Sequence, residues 1–202
     1  GAVHEMRGRV ERSGLLDPQL RFAVNLVGGP ALTPREFRQR KPKTTLGVSL
    51  VINAPFGQYD STKLINLGTH RWAFKPELGL SHPAGNWIYE LYAGVWLFET
   101  NGNYFGGNVR QQDPLAAYQA HVVYSFRPQL WAAADYTYYA GGSTTINGQP
   151  HNDRQDNSRI GLTLSMPLTS HQSVKLSWAH GASVRVGSNF ETIGLSWQLS
   201  WL

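Results

Sequence analysis

The chain contains no cysteine. That excludes a disulfide framework and a zinc site built on thiolates. Charge is scarce too: Asp, Glu, Lys and Arg make up 15% of the residues, against about a quarter in soluble domains. No run of about 18 apolar residues occurs, so no transmembrane helix is expected. The first residues, GAVHEMRGRVERSG, hold no apolar core of the signal-peptide kind. Either the numbering starts at a mature N-terminus or further sequence lies upstream.

Signatures of catalysis are missing as well. His4, His70, His82, His121, His151, His171 and His180 show no metal-ligand spacing. GVSLV, GLSHP and GLSWQ all fail the G-x-S-x-G pattern of a nucleophile turn. GGSTTING lacks the lysine of a phosphate-binding loop. NVRQQD and HNDRQDN offer oxygen donors to a divalent cation but read as exposed polar loops. His82, His151 and His171 read as solvated turn residues. No catalytic residue, metal or cofactor is expected.

What is abundant is glycine, at 21 residues, and aromatic side chains, with 7 Trp, 9 Tyr and 8 Phe. Mean hydropathy is nevertheless −0.33. Low charge, many aromatics and a polar average occur together when apolar and small polar residues alternate. The net charge is +5 and the pI about 9.6. The densest basic group, Arg35, Arg38, Arg40, Lys41 and Lys43, sits in one loop-like segment, so no nucleic-acid partner is expected.

The alternation has period two, the signature of β-strands. In NSRIGLTLSMPL, Ile160, Leu162, Leu164, Met166 and Leu168 alternate with Arg159, Gly161, Thr163, Ser165 and Pro167. The same holds in QLRFAVNLV, TTLGVSLVIN, RWAFKPELGLS, NWIYELYAGVWLFE, AAYQAHVVYSF, LWAAADYTYYA, SVKLSWAHGASVRVG and TIGLSWQLSW, and more weakly in HEMRGRVER. About ten strands follow, most of them roughly 9–13 residues long, enough to cross a bilayer when tilted. Turn signals separate them: LLDPQ, HPAGN, RPQ, TSHQ and GSN. Longer loops are expected at 29–43, 55–70, 100–112 and 142–156. In the first, Thr33-Pro34-Arg35-Glu36 has capping-box spacing with proline at the first helical position, which predicts a short helix. No second domain, linker or fixed-period repeat is visible, so residues 1–202 form a single domain.

The two faces of these strands differ in a telling way. A soluble sandwich would solvate its non-apolar face with many charges. Here that face is rich in Gly, Ser, Thr, Gln and Asn and carries a few charges of both signs. This suits the lumen of a transmembrane antiparallel β-barrel whose apolar face meets lipid. Trp72, Trp87, Trp131, Phe126, Tyr138, Tyr139 and Trp201 recur near strand ends, as in interfacial girdles. By register, Arg21, Arg71, Lys75, Glu77, Glu90, Gln119, His121, Asp135, Arg159, Lys175 and Arg185 line the lumen, with His121 as a hydrogen-bonding group. Charges inside a membrane must face water or one another. Seven of them (Arg71, Lys75, Glu77, Glu90, Asp135, Arg159 and Lys175) are expected to form a network that braces the wall or constricts the channel. Glu90 is expected to pair with Lys75 or Arg71. Trp96, Phe98, Trp131 and Tyr139 project to the same side, where rings suit an apolar ligand.

Five stretches carry a resemblance to a known family: SGLLDPQLRFAVNLVGGPALTPREF, APFGQYDSTKLINLGTHRWAFKPELGLS, WIYELYAGVWLFETNGNYFGG, QDPLAAYQAHVVYSF and GLTLSMPLTSHQSVKLSWAHG. The most specific piece is INLGTHRWAFKPELG. The chain resembles the outer-membrane channels of the meta-pathway of phenol degradation, which are linked to uptake of hydrophobic molecules. The resemblance implies a monomeric twelve-stranded barrel in the outer membrane of a Gram-negative bacterium, with an N-terminal segment occluding the lumen. Two strands and that plug are then expected upstream of Gly1 or absent from this chain. A periplasmic C-terminus follows, placing loops 187–189, 142–156, 100–112 and 55–70 outside and the basic 29–43 loop in the periplasm.

The expected function is passive uptake of small hydrophobic or aromatic molecules, with membrane lipid, lipopolysaccharide or detergent around the apolar face. The alternatives are a porin for small hydrophilic solutes or ions, a lipid-modifying barrel enzyme and a soluble lipocalin-like binder.

Overall fold

The computed structural model describes residues 11–187 and 189–199. Their elements, in chain order, are β1 (Gln19–Val27), helix α1 (Pro34–Gln39), β2 (Thr45–Asn53), β3 (Ala73–Ala84), β4 (Trp87–Phe98), β5 (Asn101–Tyr104), β6 (Asn108–Gln112), β7 (Leu115–Arg127), β8 (Leu130–Gly141), β9 (Thr144–Ile146), β10 (Gln149–Pro150), β11 (Gln155–Pro167), β12 (Gln172–Ser183) and β13 (Thr192–Leu199). The fold is all-β and antiparallel. No helix among the described residues is long and apolar enough to cross a membrane, which says nothing about crossing by strands.

Nine long strands form one sheet in the order β1-β2-β3-β4-β7-β8-β11-β12-β13. Each pairs with its sequence neighbour among the long strands, as short turns favour. The β3–β4 turn is only Gly85-Asn86, between the paired Ala84 and Trp87. Gly85 has φ +62, the positive value that the first position of a tight hairpin turn requires. Because nine is odd, β1 and β13 run in the same direction. Closing the sheet with antiparallel pairing therefore takes an odd number of further strands. The expected strand in HEMRGRVER lies almost entirely outside the described residues.

The burial is inverted relative to a water-soluble protein. Leu20, Phe22, Val24, Leu91, Leu162, Ile193 and Leu195 are exposed, whereas Arg71, Lys75, Glu77, Ser158 and Ser165 are buried. Period two separates these sets cleanly. Through the middle of the sheet one face is apolar and exposed and the other polar and more covered, while β1 is exposed on both faces. Aromatic rings collect at both ends of the apolar face. Trp87, Tyr124 and Phe126 cluster at one end, with centroids 4.7 and 4.9 Å apart. Phe56, Trp72 and Phe74 cluster at the other, at 5.8 and 6.2 Å. Trp131 and Tyr139 belong to the polar face instead, since their register places them beside Ser125 and Ala117; Trp201 lies outside the described residues.

The two ends of the sheet differ. One carries α1 and short turns. Helix α1 forms as its capping box predicts: the Thr33 N–H and hydroxyl both donate to Glu36 at 2.8 Å, and the Glu36 N–H returns to the Thr33 hydroxyl at 3.4 Å. His82, expected to be solvated in a turn, lies in β3 and shares a 2.8 Å hydrogen bond with Thr44. At the other end, segments expected as loops fold into a second sheet, ordered β10-β9-β6-β5. These strands are two to five residues long, too short for alternation to reveal. The expected extent of the SVKLSWAHGASVRVG strand is also corrected. Alternation continues through Val184 and Val186, but β12 stops at Ser183. There Asn157 accepts the Arg185 N–H at 2.8 Å, and Asn189 accepts the Gly181 N–H at 3.1 Å, drawing the backbone out of the ladder.

Asp17 ties the segment before β1 to the 54–72 loop. It accepts the Gly57 N–H at 2.9 Å, the Thr69 N–H at 2.8 Å, the Thr69 hydroxyl at 2.6 Å and the Asn53 amide at 3.2 Å. Partial burial opposes ionisation, but these donors outweigh it and hold the Asp17 carboxyl below its ordinary 3.8. A depressed pKa contributes stability above the unfolded value and loses it as pH falls through the folded one. Amide protection factors at Gly57 and Thr69, taken relative to the intrinsic exchange rate at each pH, should therefore be high above pH 3.8 and fall below it. In Asp17→Asn both amides should exchange fast already at neutral pH, and protection indifferent to pH and to this substitution would contradict the tether.

Candidate functional site

The polar face is organised around Glu77. Its side chain accepts Arg21 Nη2 at 2.7 Å and Lys75 Nζ at 2.6 Å, and the Ser49 hydroxyl at 3.3 Å. Arg21, Ser49 and Glu77 come from three adjacent strands, so one carboxylate pins β1, β2 and β3 together. Glu77 is 6% exposed and Lys75 8%. Next to them the ladder between β3 and β4 lapses: Phe74 pairs with Leu97 and Glu77 with Gly94, but Lys75 and Pro76 have no partner. Pro76 has no N–H to donate, which is why proline is rare inside sheets. An open groove of about 490 Å³ lies beside this lapse, lined by Val48, Leu78 and Tyr118 of the apolar face and by the adjoining Ser49, Pro76, Glu77 and Gly94.

Glu90 does not pair with Lys75 or Arg71. It accepts the Ser81 hydroxyl at 3.1 Å and the Tyr92 hydroxyl at 3.3 Å. Lys75 is two strand positions from Glu77 on the same face and already held there. Tyr92 lies over Gly79, its cross-strand partner, where an added Cβ would come within 2.6 Å of the ring. The Tyr92 ring also meets His121 edge-on at 5.7 Å. His121 bonds Asp135 at 2.5 Å, and Asp135 accepts the Thr163 hydroxyl at 3.3 Å. Gln119 stands opposite Tyr92 and Thr137.

The expected single network thus resolves into separate groups. Arg159 donates to the Phe190 carbonyl at 3.1 Å and stacks on that ring at 4.1 Å. Lys175 is exposed and lines a polar cavity with Trp131, Gln129, Ser165 and Gln172. Arg185 lies beyond the strands and bonds Asn152 at 2.7 Å. Alternation assigns a face, but position along the strand decides which charges meet.

Of the four aromatic candidates, the fold joins two. Trp96 and Phe98 are near-parallel at 14°, with centroids 6.4 Å apart. With Asn53, Thr69, Arg71, Ala73 and Leu115 they line a cavity of about 270 Å³ beneath the small sheet. Lys75 Nζ lies 5.5 Å from the Trp96 centroid, and the Arg71 guanidinium 4.5 Å from that of Phe98. Trp131 is at the opposite end of the sheet. Tyr139 lies on β8, paired with Ala117 and Asn157. Thr69 and the flanking Gln112, which accepts from Arg71, come from segments outside the long strands. No periodic signal marks them, so the sequence alone did not assign them to the site. The loop acids form no cation site: Asp153 spends both carboxylate oxygens on the N–H and hydroxyl of Thr144, and no metal-binding group of three or more His, Cys, Asp or Glu occurs among the described residues.

The family described as "Putative MetA-pathway of phenol degradation" matches residues 2–199. Among solved structures, the crystal structure of an outer membrane channel from Pseudomonas putida F1 is similar, with a TM-score of 0.78 at 21% identity. The likeness covers 92% of this chain and 66% of that channel, so the chain spans just under two thirds of its length. No curated protein matches the sequence.

Removing one member of a buried ion pair strands the other at a cost of about 3 kcal/mol. Glu77→Ala leaves both Lys75 and Arg21 without their carboxylate and is expected to lower unfolding stability by about that amount in detergent–urea titration. A loss under about 1 kcal/mol would instead mark these charges as solvated.

Proposed function

The chain belongs to the family of the putative MetA-pathway of phenol degradation, and from that membership we propose that it forms an outer-membrane β-barrel channel for passive uptake of small hydrophobic or aromatic molecules. The observation that carries this reading is the inverted sheet with an aromatic-walled cavity on its polar face. Water would not tolerate so extended an apolar face. Lipid would, provided the backbone bonds itself, as antiparallel strands of 8–13 residues do here. The aromatic clusters at both ends of that face support two membrane interfaces. In this reading Arg21, Lys75, Glu77, Glu90, His121 and Asp135 lie inside, where charges of both signs neutralise one another at short range. A solute enters under the small sheet and meets Trp96 and Phe98. The polypeptide acts by binding and passage, with lipid as its surroundings, one copy per channel and no reaction chemistry.

The competing reading is a porin for hydrophilic solutes or ions, and transport separates the two. Toluene flux into proteoliposomes should be saturable, and Trp96→Ala/Phe98→Ala should lower it roughly tenfold or more, as expected for two lost ring contacts. A large, steady ionic conductance in planar bilayers, with toluene flux indifferent to the double variant, would favour the porin. The membrane placement has its own test at Leu162, central in β11 and 56% exposed on the apolar face. Leu162→Arg should destabilise folding into liposomes by about 2–4 kcal/mol; an unchanged free energy would remove Leu162 from lipid.

A further inference from the structure

The cavity at Trp96 and Phe98 has a second chemical character, set by Arg71. This residue is 8% exposed. One guanidinium nitrogen, Nη2, donates to the Gln112 side chain. A second, Nη1, is buried and has no hydrogen-bond partner. No carboxylate among the described residues lies within ion-pair distance of Arg71. The other cations toward that end of the polar face are provided for: Lys75 and Arg21 share Glu77. The acid that holds the same lining, Asp17, is already engaged by four donors from Asn53, Gly57 and Thr69.

A buried cation with a free donor is costly unless something completes it. The surroundings add to that cost. Arg110 is the charged residue that acts on Arg71, a second cation; it stacks on Tyr104 at 5.2 Å and lies within electrostatic reach of Asp153. Arg71 precedes β3; burial first, and the charge of Arg110 second, bring its pKa down to about 10, so it stays protonated at neutral pH. Phe98 holds the guanidinium in place from one side by cation–π contact at 4.5 Å. Trp96 and Phe98 offer flat apolar surface in the same lining as the Arg71 guanidinium, whose Nη1 has almost no accessible area and turns toward the cavity to meet a ligand. A cavity of ~150 Å³ accepts benzene; at about 270 Å³ this one has room for one ring and one small polar group.

We propose that this cavity selects aromatic carboxylates, with the ring against Trp96 and Phe98 and the carboxylate on the free Nη1 of Arg71. The inference rests on the uptake reading above and narrows it from aromatic molecules in general to those carrying an anionic group. A carboxylate supplies the charge-assisted acceptor that the protein itself withholds. A neutral isostere of the same shape leaves Nη1 unsatisfied, and sites built on such a donor discriminate strongly against ligands that cannot meet it. Arg71 is here a binding residue, and Gln112 positions it.

The test is calorimetric binding of benzoate, benzamide and toluene to the purified chain in non-ionic detergent. Benzoate is expected to bind at least tenfold tighter than benzamide. Arg71→Gln should abolish that preference, and Arg71→Lys should retain part of it. Retained β-sheet circular dichroism and an unchanged thermal unfolding midpoint show that the variants are folded. Equal affinities for benzoate and benzamide in the wild type, or a preference that survives Arg71→Gln, would overturn the inference, and continued toluene binding in that case would leave the uptake reading standing. Loss of all three ligands from the wild type would sink both.

Discussion

The structure depends on one constraint: the covered face of the sheet is polar, so every charge placed there needs a partner, and β3 supplies the main one. Glu77 gathers Arg21, Ser49 and Lys75 from three strands onto a single carboxylate. With those groups neutralised, the rest of the face can be built from Gly, Ser, Thr and Tyr without strong local fields. The same requirement accounts for His121 with Asp135 on the next strands and for Glu90 held by neutral hydroxyls. Arg71, like Arg159, has a neutral partner and no acid within ion-pair distance among the described residues.

Fold and site meet at the end of the sheet where β3 begins and β4 ends. The loops there are held by side-chain amides and carboxylates. Asp17 anchors the 54–72 loop, and Asn101 donates to the Thr69 carbonyl at 3.0 Å and to the Tyr59 hydroxyl at 3.2 Å. The small sheet lies over this end and contributes Gln112 to Arg71. Rigid loops matter because the cavity takes its walls from strands and its polar rim from loops; a loose rim would let water complete Arg71. Pro76 adds the opposite element, a local lapse in strand pairing within an otherwise continuous ladder.

Much of this was legible in the residues because alternation has only one interpretation once strand length is known. A side chain on β4 or β11 must point to one face or the other, so Leu162 and Glu77 could be assigned before any coordinates. The helix at Pro34 was legible for a similar reason, since a capping box acts over four residues. Failures came where partners are distant. The register of SVKLSWAHGASVRVG favoured a longer strand, but Asn157 and Asn189 capture its backbone from other segments. Glu90 was expected to meet a cation because both lie on one face, yet face alone does not fix height along the strand.

The sequence by itself determined the class of structure: long antiparallel strands, an apolar face, a sparsely charged polar face and a tightly capped helix. All of these follow from local periodicity and short-range hydrogen bonding. Only the tertiary structure decided which charges pair, that Trp96 and Phe98 form a slot while Trp131 and Tyr139 do not, and that Arg71 keeps a free donor beside them. Those outcomes depend on strand register, and on loops that fold back from up to about fifty residues away in the chain, where no short-range pattern in the residues carries the information.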